Sequence, residues 1–184
     1  AYLKLLDNYH ESAALYRILN LPILGFNYQE LVMLNYQARK KAWSLYEVLA
    51  NSAALNLGVE VAKKSVKAID LIAKHTALVR AKAVSEVILA FLSDSGYLKY
   101  LTEREERTAR EIFGYLNQFM KRVKAFESAS DDKSVKAFLA ELSLEIDSGE
   151  EGALSVDPES GPEAIKVMTV HGAKGLEFKY VFLP

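Results

Sequence analysis

Apolar residues recur at helical spacing through most of this chain, up to about residue 147, and then the pattern stops. Ala14, Leu15, Ile18 and Leu19 form one stripe, closed by Pro22. Val84, Val87, Ile88 and Phe91 form another, with Gly96 where a helix-ending left-handed residue is expected. Longer sets run Ala109, Ile112, Phe113, Leu116, Met120 and Val123, then Val135, Phe138, Leu139, Leu142 and Ile146. Each set falls on one helical face, so the helices must cover one another. Start signals agree with the stripes. Ser44 with Glu47 and Thr102 with Glu105 fit a capping box, in which hydroxyl and carboxylate satisfy each other's unbonded backbone N–H groups. Asn8 with Glu11 and Asn27 with Glu30 are Asn-headed versions of the same device. Caps and stripes together predict a mainly α fold.

Ser148 to Pro162 breaks the pattern with three Gly and two Pro, and reads as a loop or linker. Beyond it, Ile165–Val170 and Tyr180–Leu183 are short β-branched or aromatic runs that read as buried strands. Met168, Val170, Phe178, Tyr180 and Phe182 are assigned to a core on that alternation. Two strands do not make a stable sheet alone. A strand-turn-strand corner of a second, α/β domain is therefore expected, and a chain opening on Ala1 is expected to be a piece of something longer.

Charge narrows the choice of partner. Net charge is -1, which argues against a dedicated polyanion binder. The distribution is less even: Lys63 to Lys82 holds six Lys or Arg against one acid, and Glu141 to Glu163 holds eight acids and no Lys or Arg. These are either solvated helix faces and a linker, or a modest phosphate-facing patch and an acidic stretch that avoids DNA. With no cysteine, disulfide, thiolate-metal and cysteine-nucleophile chemistry are excluded, and a reducing, cytoplasmic setting is the expectation. No apolar run is long enough to span a bilayer, so no membrane partner is expected.

The most specific residues come last. Val167–Phe178, containing TVHGAKGLEF from Thr169 to Phe178, and the following Val181-Phe182-Leu183 resemble motif V of superfamily-1 DNA helicases of the UvrD/Rep/PcrA type. Tyr2-Leu3-Lys4-Leu5 and Ala14–Pro22 resemble the family stretch just after motif IV. The helical region between them has the length of the accessory domain called 2B, and Ser95-Gly96-Tyr97 is like a turn the family carries. The resemblance implies residues 1–22 at the 2A/2B boundary, 23–147 as the 2B-like domain, 148–163 as linker, and 164–184 as part of the RecA-like 2A domain.

It also implies a parent that couples ATP hydrolysis, with Mg, to 3′-to-5′ movement on single-stranded DNA and to duplex unwinding. Thr169 and His171 would face single-stranded DNA. Gly175 and Glu177 would lie towards the nucleotide, Glu177 near its ribose. Physically, Gly172 and Gly175 allow a tight turn and close backbone approach to phosphate. His171 can contact a phosphate or base or orient neighbouring backbone, and Lys174 can neutralise phosphate or simply be a solvated lysine.

One departure stands out. Where many members carry an Arg-Gly-Ile-Gly-like turn for duplex DNA, this chain reads Ile23-Leu24-Gly25-Phe26-Asn27. Gly25 and Phe26 remain candidate contacts, but Asn27 can cap the next helix with the N–H groups a phosphate needs. Weakened duplex binding is the expectation. With no phosphate loop and no Asp-Glu pair for magnesium, no catalytic residue is assigned, and the chain alone is expected neither to bind ATP nor to hydrolyse it. Two other readings are open: a non-enzymatic helical module binding protein or DNA with a relict motif, and the nuclease-associated RecB/AddA-like branch.

Overall fold

The structure is a computed structural model that describes residues 1–104, 106–148, 169, 171, 174 and 180–182. The chain divides into two compact units, Ala1–Glu150 and Glu151–Pro184. In the first, the described helices are α1 (Tyr2–Asp7), α2 (Ser12–Leu19), α3 (Tyr28–Lys41), α4 (Leu45–Ala50), α5 (Val59–Val79), α6 (Val84–Asp94), α7 (Tyr97–Thr102), α8 (Glu106–Ala129) and α9 (Val135–Asp147). A 3-10 turn at Pro22–Leu24 joins α2 to the α3 segment.

The stripes explain the packing. Leu15 and Leu19 on α2, Leu34 on α3, Leu45, Val48 and Leu49 on α4, Val84 and Val87 on α6, and Phe138 on α9 are essentially inaccessible and belong to one core. α1 contributes Leu5 and Leu6 to that core and packs against α2, α5 and α9. Its Tyr2 ring stacks on Phe91 at 3.9 Å between centroids. Around Phe138, the rings of Phe119 and Phe126 stand edge-on at 5.9 and 5.3 Å, an arrangement the ring quadrupole favours. The longest stripe is less completely covered than its periodicity predicts. Val123 is buried, but Leu116 and Met120 are only partly so, and Ile146 at the end of α9 is exposed.

Two of the four expected caps form in full. Asn27 accepts from the Glu30 N–H at 2.9 Å while Glu30 accepts from the Asn27 N–H at 2.8 Å. Ser44 and Glu47 reciprocate at 3.3 and 2.7 Å. The other two are corrected. Thr102 ends α7 and its hydroxyl donates to the Lys99 carbonyl, since a threonine in a last turn can bond backward. Asn8 follows α1, and its side chain accepts from the His10 N–H in a local turn, leaving α2 to start at Ser12 without a side-chain cap. Gly96 has φ 76°, the left-handed conformation expected of it.

The strand expectation is not met by the residues described beyond 148. Tyr180, Val181 and Phe182 lie outside any strand and are exposed, so the core assignment of Tyr180 and Phe182 is corrected. Residues 149–168, including most of the linker and Met168, lie outside the described residues, as do Val170 and Phe178. Among the described residues, no helix is long and apolar enough to cross a membrane.

Candidate nucleic-acid interface

The altered turn before α3 is the best-defined candidate site. Pro22 starts the 3-10 turn with a preset φ, and Gly25 ends it at φ 71°, a conformation costly for a residue with a Cβ. The chain then reaches Asn27 in extended conformation and enters α3. At this helix start the backbone N–H groups point outward and the helix dipole favours an anion. An anion is already there. The Glu30 carboxylate accepts from the Asn27 N–H and from Lys64 Nζ, which lies 2.8 Å from each of its oxygens. Lys64 Nζ is also 5.8 Å from the centre of the Phe26 ring. Desolvation pushes the Glu30 carboxyl up, but the bonds from Lys64 and the Asn27 N–H outweigh it and hold the group below the usual carboxylate range. Gly25 and Phe26 thus border a turn in which the Asn27 and Glu30 N–H groups and the Lys64 cation are occupied from within.

Most of the basic run on α5 and just beyond it is similarly paired: Lys63 with Glu60, Lys64 with Glu30, Lys74 with Asp94 and, past the helix end, Lys82 with Glu86. Lys67 is exposed without an ion-pair partner among the described residues, but it lines a cleft of ≈ 240 Å³ shared with Asp70, Lys74 and Asp94. Equal numbers of cations and carboxylates there do not make a phosphate track. Of the two readings of this run, the structure favours paired and solvated helix faces.

Thr169, His171 and Lys174 are all exposed. The Lys174 N–H donates to the His171 carbonyl at 3.3 Å, so those two residues share one turn. Gly172, Gly175 and Glu177 lie outside the described residues. Among the described residues no group of three or more His, Cys, Asp or Glu is placed to hold a metal ion.

Sequence reasoning missed one polar cluster. His75 is fully buried: its Nδ1 hydrogen-bonds the Tyr2 hydroxyl, and its Nε2 lies 3.0 Å from Asp94, which also bridges Lys74 at 2.6 Å. Burial pushes the Tyr2 hydroxyl up, with the charge of Asp94 adding to it. The bond from Lys74, then that from His75, holds the Asp94 carboxyl low. Both ring nitrogens are satisfied inside the core, so the cluster fastens α1 to α5 and α6. A signal was present: Val61, Ser65, Ala68, Ile72 and His75 fall on one face of α5.

Comparison with known proteins decides the family. The model described as UvrD-like helicase C-terminal domain matches residues 1–184. The chain belongs to this UvrD-like family. It is 27% identical over 185 residues to ATP-dependent DNA helicase PcrA of Staphylococcus epidermidis (strain ATCC 12228 / FDA PCI 1200), covering 100% of this chain and 24% of that protein. It is 27% identical over 188 residues to the protein of the same name from Bacillus subtilis (strain 168), covering 100% and 25%. The Staphylococcus aureus (strain COL) protein, also so named, is 26% identical over 185 residues, covering 100% and 24%. The UvrD-like chain therefore spans about a quarter of the length of the curated relatives it matches.

Proposed function

We propose that this chain is the helical accessory part, with an attached motor segment, of an ATP-dependent DNA helicase moving 3′ to 5′ on single-stranded DNA in the cytoplasm. The match to the UvrD-like family along the whole chain carries the reading. On this reading residues 1–22 lie at the 2A/2B boundary, 23–147 form the 2B-like domain, 148–163 link, and 164–184 bring motif V of the 2A domain. Thr169 and His171, with Lys174 beside them, contact single-stranded DNA. Gly175 and Glu177 face ATP. ATP and Mg are bound by the whole protein, and no catalytic residue is assigned to this chain.

Coupling requires an element that feels both ligands, because only a differential contact lets one alter affinity for the other. A loop with DNA-facing and nucleotide-facing residues a few positions apart meets that requirement. The Gly25–Glu30 turn plays a reduced part in duplex binding, since Glu30 holds the Asn27 N–H and Lys64 that a phosphate would use. Fluorescence anisotropy of the chain with labelled duplex DNA tests this. Weak binding that disappears as salt is raised is expected. Tight binding that persists at high salt and is lost on Phe26→Ala contradicts the proposed role of the turn.

A further inference from the structure

Helix α5 begins uncapped beside a cavity. Its N-cap residue is Gly58, no side chain bonds the first turn, and the Val59, Glu60 and Val61 N–H groups have no acceptor among the described residues. Gly58 and Val59 instead line a cavity of ≈ 600 Å³. A Cβ at Gly58 would meet nothing within 4 Å, so the approach to these donors is open. Ser52 adds a second polar group. It lines the same cavity, is 3% exposed, and its hydroxyl bonds no described residue. That hydroxyl is not among the unpartnered side-chain atoms sealed from solvent, so it faces the cavity. The rest of the wall is largely apolar, from Ala53, Leu57, Val59, Ala62 and Val66. Val59 and Val66 are 71% and 58% exposed and stand two turns apart, roughly 10 Å along α5. Lys63 lies between them, paired with Glu60 at 2.9 Å.

We propose that this cavity binds the C-terminal carboxylate of a partner protein whose last residues are apolar. The carboxylate accepts from the first-turn N–H groups of α5 and from the Ser52 hydroxyl, where the helix macrodipole adds its attraction. The apolar side chains before it lie along Val59, Ala62 and Val66. Backbone donors that converge at one point are a recurring means of capturing a chain terminus. Charge selects the kind of anion. With Lys63 engaged by Glu60, the attraction comes from the helix start, worth about half an elementary charge. That suits a single negative charge, whereas phosphates and nucleic acids call for several free cations. The apolar rim selects the source of the carboxylate. Its spread from Val59 to Val66 fits side chains at successive positions of a peptide, where a free acid would bring one acyl chain.

Amide NMR of the 184-residue chain, titrated with the peptide acetyl-Ala-Leu-Val carrying a free carboxylate, tests the proposal. Saturable shifts of the Val59, Glu60 and Val61 amides are expected. The same peptide ending in a carboxamide is expected to bind about tenfold or more weakly, because hydrogen bonds to a charged acceptor are the stronger ones. Ser52→Ala is expected to weaken binding of the free-acid peptide severalfold. Val66→Ser is expected to do the same from an exposed rim position that leaves the core intact. Far-UV circular dichroism of both variants confirms that they are folded. No saturable shift at the three amides, equal binding of the carboxamide, or binding unchanged in both variants overturns the proposal. Octanoate binding more tightly than the peptide overturns it in favour of a free carboxylic acid, and inorganic phosphate displacing the peptide at equal concentration overturns it in favour of phosphate.

Discussion

Ala42 closes α3 at φ 53°, a left-handed conformation that suits glycine better than any residue with a Cβ. Ala42→Gly removes that clash at some cost in unfolded-chain entropy, and is expected to raise stability by about 0.5–1 kcal/mol in urea denaturation. Tyr2→Phe acts the other way. It leaves His75 Nδ1 buried without its partner, and about 1–3 kcal/mol of stability is expected to be lost. Glu30 has a pH signature. Its carboxyl is held low in the folded chain, so the folded state favours the ionised form. That contribution is present above the unfolded value near 4.5 and disappears as pH falls through the folded value. Denaturation curves from pH 7 downward are expected to show falling stability in acid, less steeply in Glu30→Gln.

At the scale of elements, the caps separate real helix starts from lookalikes. Ser44→Ala breaks a formed capping box and is expected to cost about 1 kcal/mol. Thr102→Ala touches only a hydroxyl at the end of α7 and is expected to stay within about 0.5 kcal/mol of wild type. Both sites satisfy the same sequence rule, and what differs is where the chain is already helical. The stripes through Leu15, Val84, Val87 and Phe138 were legible because burial on a helix leaves a period. Ile146 kept the period but not the burial, since a helix end can run beyond its partners. The Glu30–Lys64 pair could not be read from sequence, because it joins residues 34 apart. His75 could have been found from its place on the apolar face of α5, though its partners Tyr2 and Asp94 come from two other helices. Tyr180 and Phe182 show the opposite limit: alternation marks a capacity for strand and does not by itself place a residue in a core.

For the whole molecule, α1 shares one core with the helices up to α9, so the Ala1–Glu150 unit is expected to unfold in a single cooperative step when expressed alone. Loss of cooperativity on removing α1 is the corresponding expectation, because Leu5, Leu6 and Tyr2 leave with it. The functional division falls elsewhere. On the proposed function, the helical region regulates and the TVHGAKGLEF segment couples, so the two are separable inside the complete protein. The decisive measurement is single-stranded-DNA-stimulated ATP turnover by the full-length protein carrying this chain. Replacing the whole Ala1–Glu150 unit by a short flexible linker is expected to leave that turnover standing, whereas His171→Ala is expected to lower it about tenfold or more (roughly 1.4 kcal/mol of coupling). Turnover abolished by the helical replacement in a folded protein, or untouched by His171→Ala, contradicts the assignment of regulator and coupler made here.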